Sequence, residues 1–359
     1  MEKKKKFAKL RALNRQRNYL MKSLRLHFAR LLLDHRSPRA FAITASKRVL
    51  FLRDDDKIGD MVVSTSLFRE FSRAGYQVDV YAGAANACVI ERNPHINNII
   101  IASKDIQARL AQANVLAQKP YDVVIDMGDK LSPFHLRFLR RLNAMNVVGF
   151  NKKGFNIYNK SLDYLGYERH ITERYQLLME SFDIKNFSTA YDLHIPESLQ
   201  SEISAFLANL PGERCLVINP YAADARRDMS LAQLQQVIQL IHERWSDTDV
   251  VIIGDPKRVS HLQLEGAVIS PFQTLQGACG VIAQSDAVLS PDTAVVHIAA
   301  AWQKPMVCLY GNDLHGSWIN SKVWGPGYPQ AFQVYTQDKY HPVSTIKADD
   351  IILALGKIL

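Results

Sequence analysis

Short apolar runs alternate with helical patterns along both halves of the chain. The predicted strands lie at 49–52, 77–81, 122–126 and 147–150 in the first half, and at 215–219, 250–254, 286–290 and 306–310 in the second. The segments between these runs carry apolar residues at helical spacing, as 61–71 does. Strands that alternate with helices in this way predict an α/β fold with two doubly wound, Rossmann-like parallel sheets.

The same alternation predicts how the chain is divided. A polar stretch at 186–197 separates the two halves and predicts a linker, because domain boundaries fall in polar segments. The predicted parts are a basic helical extension at 1–40, a first Rossmann-like domain at 41–185, the linker at 186–197, a second Rossmann-like domain at 198–345, and a C-terminal helix at 346–359 that packs on the first domain.

The segment 285–311 reads as strand, polar turn, short helix and second strand. Ser290-Pro291 ends the first strand and Thr293 can cap the helix that follows. A helix N-terminus offers unpaired N–H groups and a positive dipole end to an anion, and His297 lies about one turn inside it. The alternative is that Thr293 only caps a helix and that His297 is a core histidine.

A second strand, turn and helix occupies 48–71. Asp60 falls at the predicted start of this helix, where the dipole and the free N–H groups favour an ionised carboxylate. Such a carboxylate facing a cleft is a candidate general base. The alternative is that Asp60 is only a helix cap.

Together these segments resemble glycosyltransferase family 9, which contains the bacterial lipopolysaccharide heptosyltransferases. Ile58-Gly59-Asp60 is similar to the family's first motif, and the run from Asp292 to His297 is similar to its second. The family's Asp-Thr-Gly is replaced by Asp-Thr-Ala here, so that Ala294 stands where a glycine is expected. The resemblance implies two Rossmann-like domains in the GT-B architecture, an acceptor site in the first and a nucleotide-sugar site in the second.

The resemblance also implies roles for individual residues. Asp60 would deprotonate the acceptor hydroxyl. A third similar region, at 215–234, has a strand, Asn-Pro and then Arg226 and Arg227, where the family has a basic residue against the donor diphosphate; Arg227 is favoured because it is nearer the helix that begins at Ser230. The implied donor-binding residues are Arg226, Arg227, Asp292, Thr293, Ala294 and His297, and the implied acceptor-binding residues are Lys57, Arg53 and Arg174.

The activity implied is inverting, metal-independent transfer of heptose from ADP-heptose to the inner core of lipopolysaccharide, on an acceptor of the Kdo-lipid A type, with no cofactor besides the donor. One alternative is a different nucleotide sugar, such as a hexose or N-acetylhexosamine donor. Another is a non-catalytic, membrane-associated binder of sugar nucleotides. A nucleotide-dependent oxidoreductase is disfavoured because 53–60 contains one glycine in place of a Gly-x-Gly-x-x-Gly turn.

Asp54-Asp55-Asp56 formally contains the Asp-x-Asp pattern by which other glycosyltransferases hold a divalent metal. The resemblance is to a metal-independent family, and it puts the nucleotide site in the other half of the chain. We therefore interpret the three aspartates as turn and surface residues, with Asp55 or Asp56 near the acceptor.

Charge is concentrated at the N-terminus. The chain has 359 residues and a net charge of +9, but residues 1–40 hold thirteen Lys or Arg against two acidic residues, a net of +11 that leaves −2 for the rest. Apolar residues recur at helical spacing among these cations, which predicts a basic amphipathic helix on an anionic inner-membrane surface. Packing of this helix on the first domain and nonspecific binding of nucleic acid are the alternatives.

The remaining sequence features favour a cytoplasmic protein that is peripherally associated with the inner membrane. Charged residues such as Arg25 and Arg30 interrupt any signal-peptide core, and no run approaches the roughly 18 apolar residues of a spanning helix. The four cysteines are well separated, which predicts buried thiols in a reducing compartment.

Overall fold

The structure of the protein is a computed structural model. The structure describes residues 2–34, 40–41, 48–129, 131–164, 166, 168–311, 314–315, 318–338 and 341–359. These residues form two compact units. The first comprises Met1–Asp56, Ser72–Ala84 and Ile96–Tyr164, and the second comprises Lys57–Phe71, Ala85–His95 and Leu165–Leu359.

The first unit is built on a six-stranded parallel sheet. Its strands are β1 (Arg48–Arg53), β2 (Gln77–Ala82), β3 (Asn98–Ile101), β4 (Val123–Asp126), β5 (Asn146–Phe150) and β6 (Lys160–Leu162). They lie in the order β3-β2-β1-β4-β5-β6, and all adjacent pairs are parallel. This order is that of a doubly wound dinucleotide-binding sheet, whose strand order reverses between β1 and β4.

The second unit repeats that topology. Its sheet contains β7 (Arg214–Ile218), β8 (Thr248–Ile252), β9 (Ala267–Ile269), β10 (Ala287–Pro291), β11 (Met306–Tyr310) and β14 (Ala331–Tyr335), and a separate hairpin pairs β12 (Leu314–His315) with β13 (Trp318–Ile319). The six strands lie in the order β14-β11-β10-β7-β8-β9, all parallel. The strand order reverses between β7 and β10, and ligands bind at the carboxyl ends of strands at such a point.

Twelve α-helices lie in the part of the chain that the structure describes. They are α1 (Glu2–Leu33), α2 (Ile58–Arg73), α3 (Ile106–Leu116), α4 (Pro133–Leu142), α5 (Ile171–Ser181), α6 (Glu197–Ala208), α7 (Leu231–Arg244), α8 (Pro256–Val259), α9 (Leu275–Gln284), α10 (Ala294–Ala301), α11 (Asn320–Val323) and α12 (Ala348–Leu355). Most of α2 belongs to the second unit although it follows β1 in sequence.

The predicted α/β fold with two doubly wound sheets is confirmed. All eight predicted strands are present, with ends that differ by at most two residues. Six strands were not predicted. Four of them, β3, β6, β9 and β14, are the edge strands of the two six-stranded sheets, and the other two, β12 and β13, form the separate hairpin. The boundaries predicted for the extension, the linker and the C-terminal helix stay predictions. Within the second unit, α12 packs on α7 and beside β14 and β11.

The last turns of α1 pack on α4 within the first unit. Ala29 is buried in the same apolar cluster as Leu139 of α4, and Arg140 of α4 donates to the backbone carbonyls of Leu32 and Leu33 at 3.4 and 3.2 Å. Among the described residues, no helix combines the length and the apolar character that crossing a bilayer requires.

Candidate active site

The start of α2 lies directly against the start of α10 within the second unit. A Cβ atom placed on Gly59 would be 2.9 Å from Cδ2 of His297 and 3.6 Å from Cα of Ala294. No real Cβ makes a carbon contact that short, so the two helices approach this closely only because residue 59 has no side chain. The two motifs of the sequence, more than 230 residues apart, therefore meet at one place.

Asp60 occupies the first turn of α2. Its carboxylate is 15% exposed and lies 3.8 Å from Nζ of Lys57, which is mostly exposed. The hydroxyl of Ser64 donates to the backbone carbonyl of Asp60 at 2.7 Å and lies 3.2 Å from the hydroxyl of Tyr175 on α5. A nearby cation and a helix N-terminus both favour the ionised carboxylate, the form that can accept a proton.

The start of α10 is held by a polar cluster at the carboxyl ends of β7 and β10. Thr293 caps the helix, and its Oγ1 accepts from the backbone N–H of Val295 at 3.2 Å. Asn219, which follows β7, donates to Oγ of Ser290 at 3.0 Å and to Oγ1 of Thr293 at 3.2 Å. The helix N-terminus thus lies where the strand order of the sheet reverses, as expected for an anion site.

Asp292 is fixed by two donors from distant parts of the second unit. Nη1 of Arg227 donates to its Oδ2 at 3.0 Å and to its backbone carbonyl at 2.8 Å. Nδ2 of Asn320, at the start of α11, donates to the same Oδ2 at 2.6 Å. These contacts bring a guanidinium group to the start of α10 and set the direction of the Asp292 carboxylate.

Arg226 faces a different partner. Its guanidinium group pairs with Asp224 at 2.7 Å, and its side chain is 74% exposed. Asp224 also caps the 3-10 turn at Ala225–Arg227 by accepting from the backbone N–H of Arg226. The structure therefore brings Arg227, and not Arg226, into contact with the second motif.

His297 is buried one turn inside α10, with 5% of its surface exposed. The rings of Tyr191 and Trp324 flank it, with centroids 6.2 and 6.0 Å from its own. Burial, with a smaller contribution from His170, lowers the pKa of His297 to about 3, so the imidazole is neutral near pH 7. Among the described residues, Nδ1 of His297 has no hydrogen-bond partner. Since a buried polar atom normally has one, a ligand that supplies it would be favoured.

The predicted acceptor-binding residues lie in different surroundings. Lys57 is exposed beside Asp60. Arg174 is buried on α5, whose first residues follow the capping residue His170. Arg53 ends β1 in the first unit, where it is buried and lies 3.2 Å from Asp55.

The three consecutive aspartates lie in the turn that follows β1. Asp54 pairs with Arg109 and Asp55 pairs with Arg53. Asp56 has a φ of 58°, in the left-handed region that a tight turn uses. Each of the first two carboxylates thus forms an ion pair with an arginine side chain.

Several residues at the site were not predicted from the sequence. Asn320 follows Asp292 by 28 positions, and Tyr191 and Trp324 come from separate segments, so no local spacing connects them with α10. Asn219 belongs to the Asn-Pro of the third similar region, but no role was predicted for it. A polar residue directly after a buried strand at the middle of a doubly wound sheet is placed at the ligand edge, so this role could have been predicted.

Comparison with known proteins agrees with this fold. The family model described as glycosyltransferase family 9 (heptosyltransferase) matches residues 108–337. An Escherichia coli K12 protein, provisionally named lipopolysaccharide heptosyltransferase 4, is 23% identical over 348 residues, which cover 95% of each chain. Lipopolysaccharide heptosyltransferase 3 of the same strain is 24% identical and covers 84% of this chain and 95% of its own length.

Solved structures share the fold. A family 9 glycosyltransferase from Veillonella parvula superposes with a TM-score of 0.74 at 17% identity, and covers 89% of this chain and 98% of its own. The Escherichia coli ADP-heptose lipopolysaccharide heptosyltransferase II gives a TM-score of 0.68 at 20% identity, with coverage of 87% and 98%. The fold is therefore that of the two-domain GT-B glycosyltransferases, and the chain belongs to glycosyltransferase family 9, the heptosyltransferase family.

Proposed function

We propose that this glycosyltransferase moves a heptose from ADP-heptose to the inner core of lipopolysaccharide, on an acceptor of the Kdo-lipid A type, with inversion of the anomeric centre. The observation that carries the proposal is the contact of Gly59 with His297 and Ala294, which sets the candidate base Asp60 beside the candidate anion site at α10. One relative is named lipopolysaccharide heptosyltransferase 3, and one solved relative, the Escherichia coli heptosyltransferase WaaC, has a structure with a fluorinated ADP-heptose.

The proposed reaction is a single displacement. Asp60 takes the proton of an acceptor hydroxyl, whose oxygen forms a bond to the anomeric carbon of the donor as the bond from that carbon to the diphosphate oxygen breaks. The electron pair of the broken bond leaves with ADP. Because the oxygen enters opposite the leaving group, one displacement inverts the anomeric centre.

The leaving diphosphate carries the charge that must be stabilised. Arg227 brings the positive charge of a guanidinium group to the start of α10. The helix N-terminus adds a fixed dipole. His297 is neutral, so it would contribute a hydrogen bond through its ring nitrogen rather than a charge. These groups could stabilise a diphosphate without a metal ion.

Other residues at the start of α10 would fix the donor. Asp292, held in direction by Arg227 and Asn320, can accept hydrogen bonds from sugar hydroxyls. Thr293 and Ala294 would line the diphosphate. The acceptor of this proposal is anionic, and Lys57, Arg53 and Arg174 are the cations that we propose to bind it.

Arg227→Ala should weaken ADP binding by about tenfold to a hundredfold, because hydrogen bonds to a charged group contribute about 1.5–3 kcal/mol. Arg226→Ala is the matched control, since its exposed pair with Asp224 should contribute little. Isothermal titration of both variants with ADP measures the difference. Unchanged ADP affinity in Arg227→Ala would contradict the role proposed for Arg227, and a loss in Arg226→Ala would indicate a donor contact by Arg226.

To test the proposed activity, the purified chain is incubated with ADP-heptose and deep-truncated lipopolysaccharide in the presence of EDTA. The mass of the acceptor is then measured by mass spectrometry. Gain of one heptose supports the donor, the acceptor class and the metal-free chemistry together. If the acceptor gains mass only with a hexose or N-acetylhexosamine donor, that nucleotide sugar replaces ADP-heptose as the proposed donor. Saturable binding of ADP-heptose without transfer to any acceptor would favour the non-catalytic binder.

We further propose that the protein works at the cytoplasmic face of the inner membrane and that α1 contacts its anionic surface. Along its length, including its last turns, the helix leaves large apolar side chains exposed: Leu13, Tyr19, Leu20, Met21, Leu24, Phe28, Leu31 and Leu32. Exposed apolar residues among many cations suit the boundary between lipid headgroups and acyl chains. A protein held at this surface by α1 would be close to a membrane-embedded acceptor.

The double variant Leu20→Asp, Leu24→Asp should lower affinity for vesicles of phosphatidylglycerol and phosphatidylethanolamine at least about tenfold, because each buried leucine contributes about 1.5–3 kcal/mol. Leu353→Asp, which changes an equally exposed leucine on α12, should bind as the unmodified chain does. Vesicle sedimentation measures both. Undiminished binding by the double variant would contradict membrane contact through α1.

A further inference from the structure

Three side chains with metal-binding atoms converge elsewhere in the second unit. His95 ends the segment Ala85–His95, and Asp192 and His194 lie in the stretch before α6. Nε2 of His194 is 3.0 Å from Oδ2 of Asp192, and Nε2 of His95 is 3.8 Å from the same oxygen. One ligand atom from each residue lies within 4.8 Å of the other two.

These distances suit one ion bound by all three residues. An ion about 2.0–2.2 Å from each of three ligand atoms in tetrahedral geometry keeps those atoms roughly 3.3–3.6 Å apart. The two distances to Asp192 fall on either side of that range, so small side-chain rotations are enough to reach it. The three side chains are each between one-sixth and one-third exposed, which leaves a path for an ion and a water ligand.

Neighbouring side chains hold the Asp192 carboxylate in place. Asn93 donates to Oδ2 of Asp192 at 3.3 Å, and Arg69 of α2 faces the other oxygen at 3.8 Å. Arg69 lies closer to Glu70, at 2.8 Å. One arginine therefore faces two carboxylates. A divalent cation would add positive charge beside Asp192.

We propose that His95, Asp192 and His194 form a binding site for one divalent transition-metal ion of the zinc class. Two imidazole nitrogens and one carboxylate oxygen suit zinc and its neighbours, whereas magnesium and calcium prefer oxygen ligands alone. The site lies outside the proposed reaction, which uses no metal, and its ligands come from two segments that are 97 residues apart at their nearest.

The structure also indicates what such an ion would stabilise. The backbone N–H of Asp192 donates to Oγ1 of Thr65 on α2 at 2.8 Å. The preceding residue, Tyr191, is the ring that contacts His297. An ion on Asp192 would thus hold together the segment with His95, the segment beside His297 and the middle of α2. This is a structural role, and it predicts higher thermal stability of the metal-bound chain.

The test uses the full chain without a histidine tag, stripped with chelator and then titrated with Zn²⁺ by calorimetry and with Co²⁺ by visible absorption. We expect one equivalent to bind, with a Co²⁺ spectrum of low coordination number and a raised melting temperature. His95→Ala and His194→Ala should weaken binding at least about a hundredfold, since even changes outside the ligand shell cost 10–100-fold. His261→Ala, an exposed histidine outside the cluster, should bind normally.

The glutamine variants His95→Gln and His194→Gln keep hydrogen-bonding capacity and provide the same comparison if an alanine variant does not fold, as judged by circular dichroism. Undiminished binding by the folded variants would overturn the site. So would the absence of saturable binding in the unmodified chain, which would leave a hydrogen-bonded histidine–aspartate cluster. These measurements do not depend on transferase activity, and so they stand apart from the function proposed above.

Discussion

Asp60→Asn should lower the turnover number for sugar transfer by about a thousandfold or more and leave the affinity for ADP-heptose unchanged. A general base in this position contributes about 10²- to 10⁴-fold to the rate. Asparagine keeps the size and much of the hydrogen bonding of aspartate but cannot take a proton from the acceptor hydroxyl. Single-turnover transfer, measured beside calorimetric binding of ADP-heptose, separates the two effects.

The matched control is Asp349→Asn, the same change at another carboxylate in the first turn of a helix. It should leave transfer unchanged, because α12 contributes nothing to the proposed chemistry. A turnover number close to normal in Asp60→Asn would show that Asp60 is not the general base. Equal losses of turnover and of donor affinity would instead indicate that Asp60 positions the donor or supports the start of α2.

The strands that could be read from the sequence are those in the middle of each sheet. A central strand of a parallel sheet is covered on both faces, so it appears as an unbroken apolar run, and β4 and β11 are buried at every position. The edge strands are covered less. β6 and β9 have three residues each, all intermediate or exposed, and no pattern of that length distinguishes a strand from a loop.

At the candidate site, features set by local sequence could be predicted and contacts between distant segments could not. Capping of α10 by Thr293 follows from local chemistry, and the structure shows it. The preference for Arg227 over Arg226 rested on one residue of spacing, and the structure brings only Arg227 to Asp292. Contacts between distant segments, such as Asn320 with Asp292 or His95 with Asp192, leave no periodic trace in the sequence. They depend on how loops fold back, which no local rule fixes.

The departure at Ala294 shows what a family pattern alone would miss. The Ala294 atom nearest to a Cβ placed on Gly59 is the backbone Cα, at 3.6 Å, so the methyl group of Ala294 does not limit the approach of the two helices. The glycine that allows the helices to meet is Gly59. Its role can be tested directly.

Gly59→Ala should destabilise the protein by about 1–3 kcal/mol and lower transfer roughly a hundredfold, because the new methyl group would lie 2.9 Å from Cδ2 of the buried His297 ring. Helix propensity alone predicts the opposite change in stability for Gly59→Ala. Replacing a glycine by alanine within a helix is normally stabilising by about 0.5–1 kcal/mol. Gly356→Ala is the matched control, since its nearest neighbour is 3.6 Å away, and it should cost nothing.

The cause of the loss can be isolated by a double-mutant cycle on the free energy of unfolding. In a His297→Ala background the ring is gone, and the nearest atom to the new methyl group is Cα of Ala294, at an ordinary contact distance of 3.6 Å. The penalty of Gly59→Ala should then disappear or change sign, because only the favourable helix propensity remains. An equal penalty in both backgrounds would mean that residue 59 is a glycine for a reason other than the approach of α2 to α10.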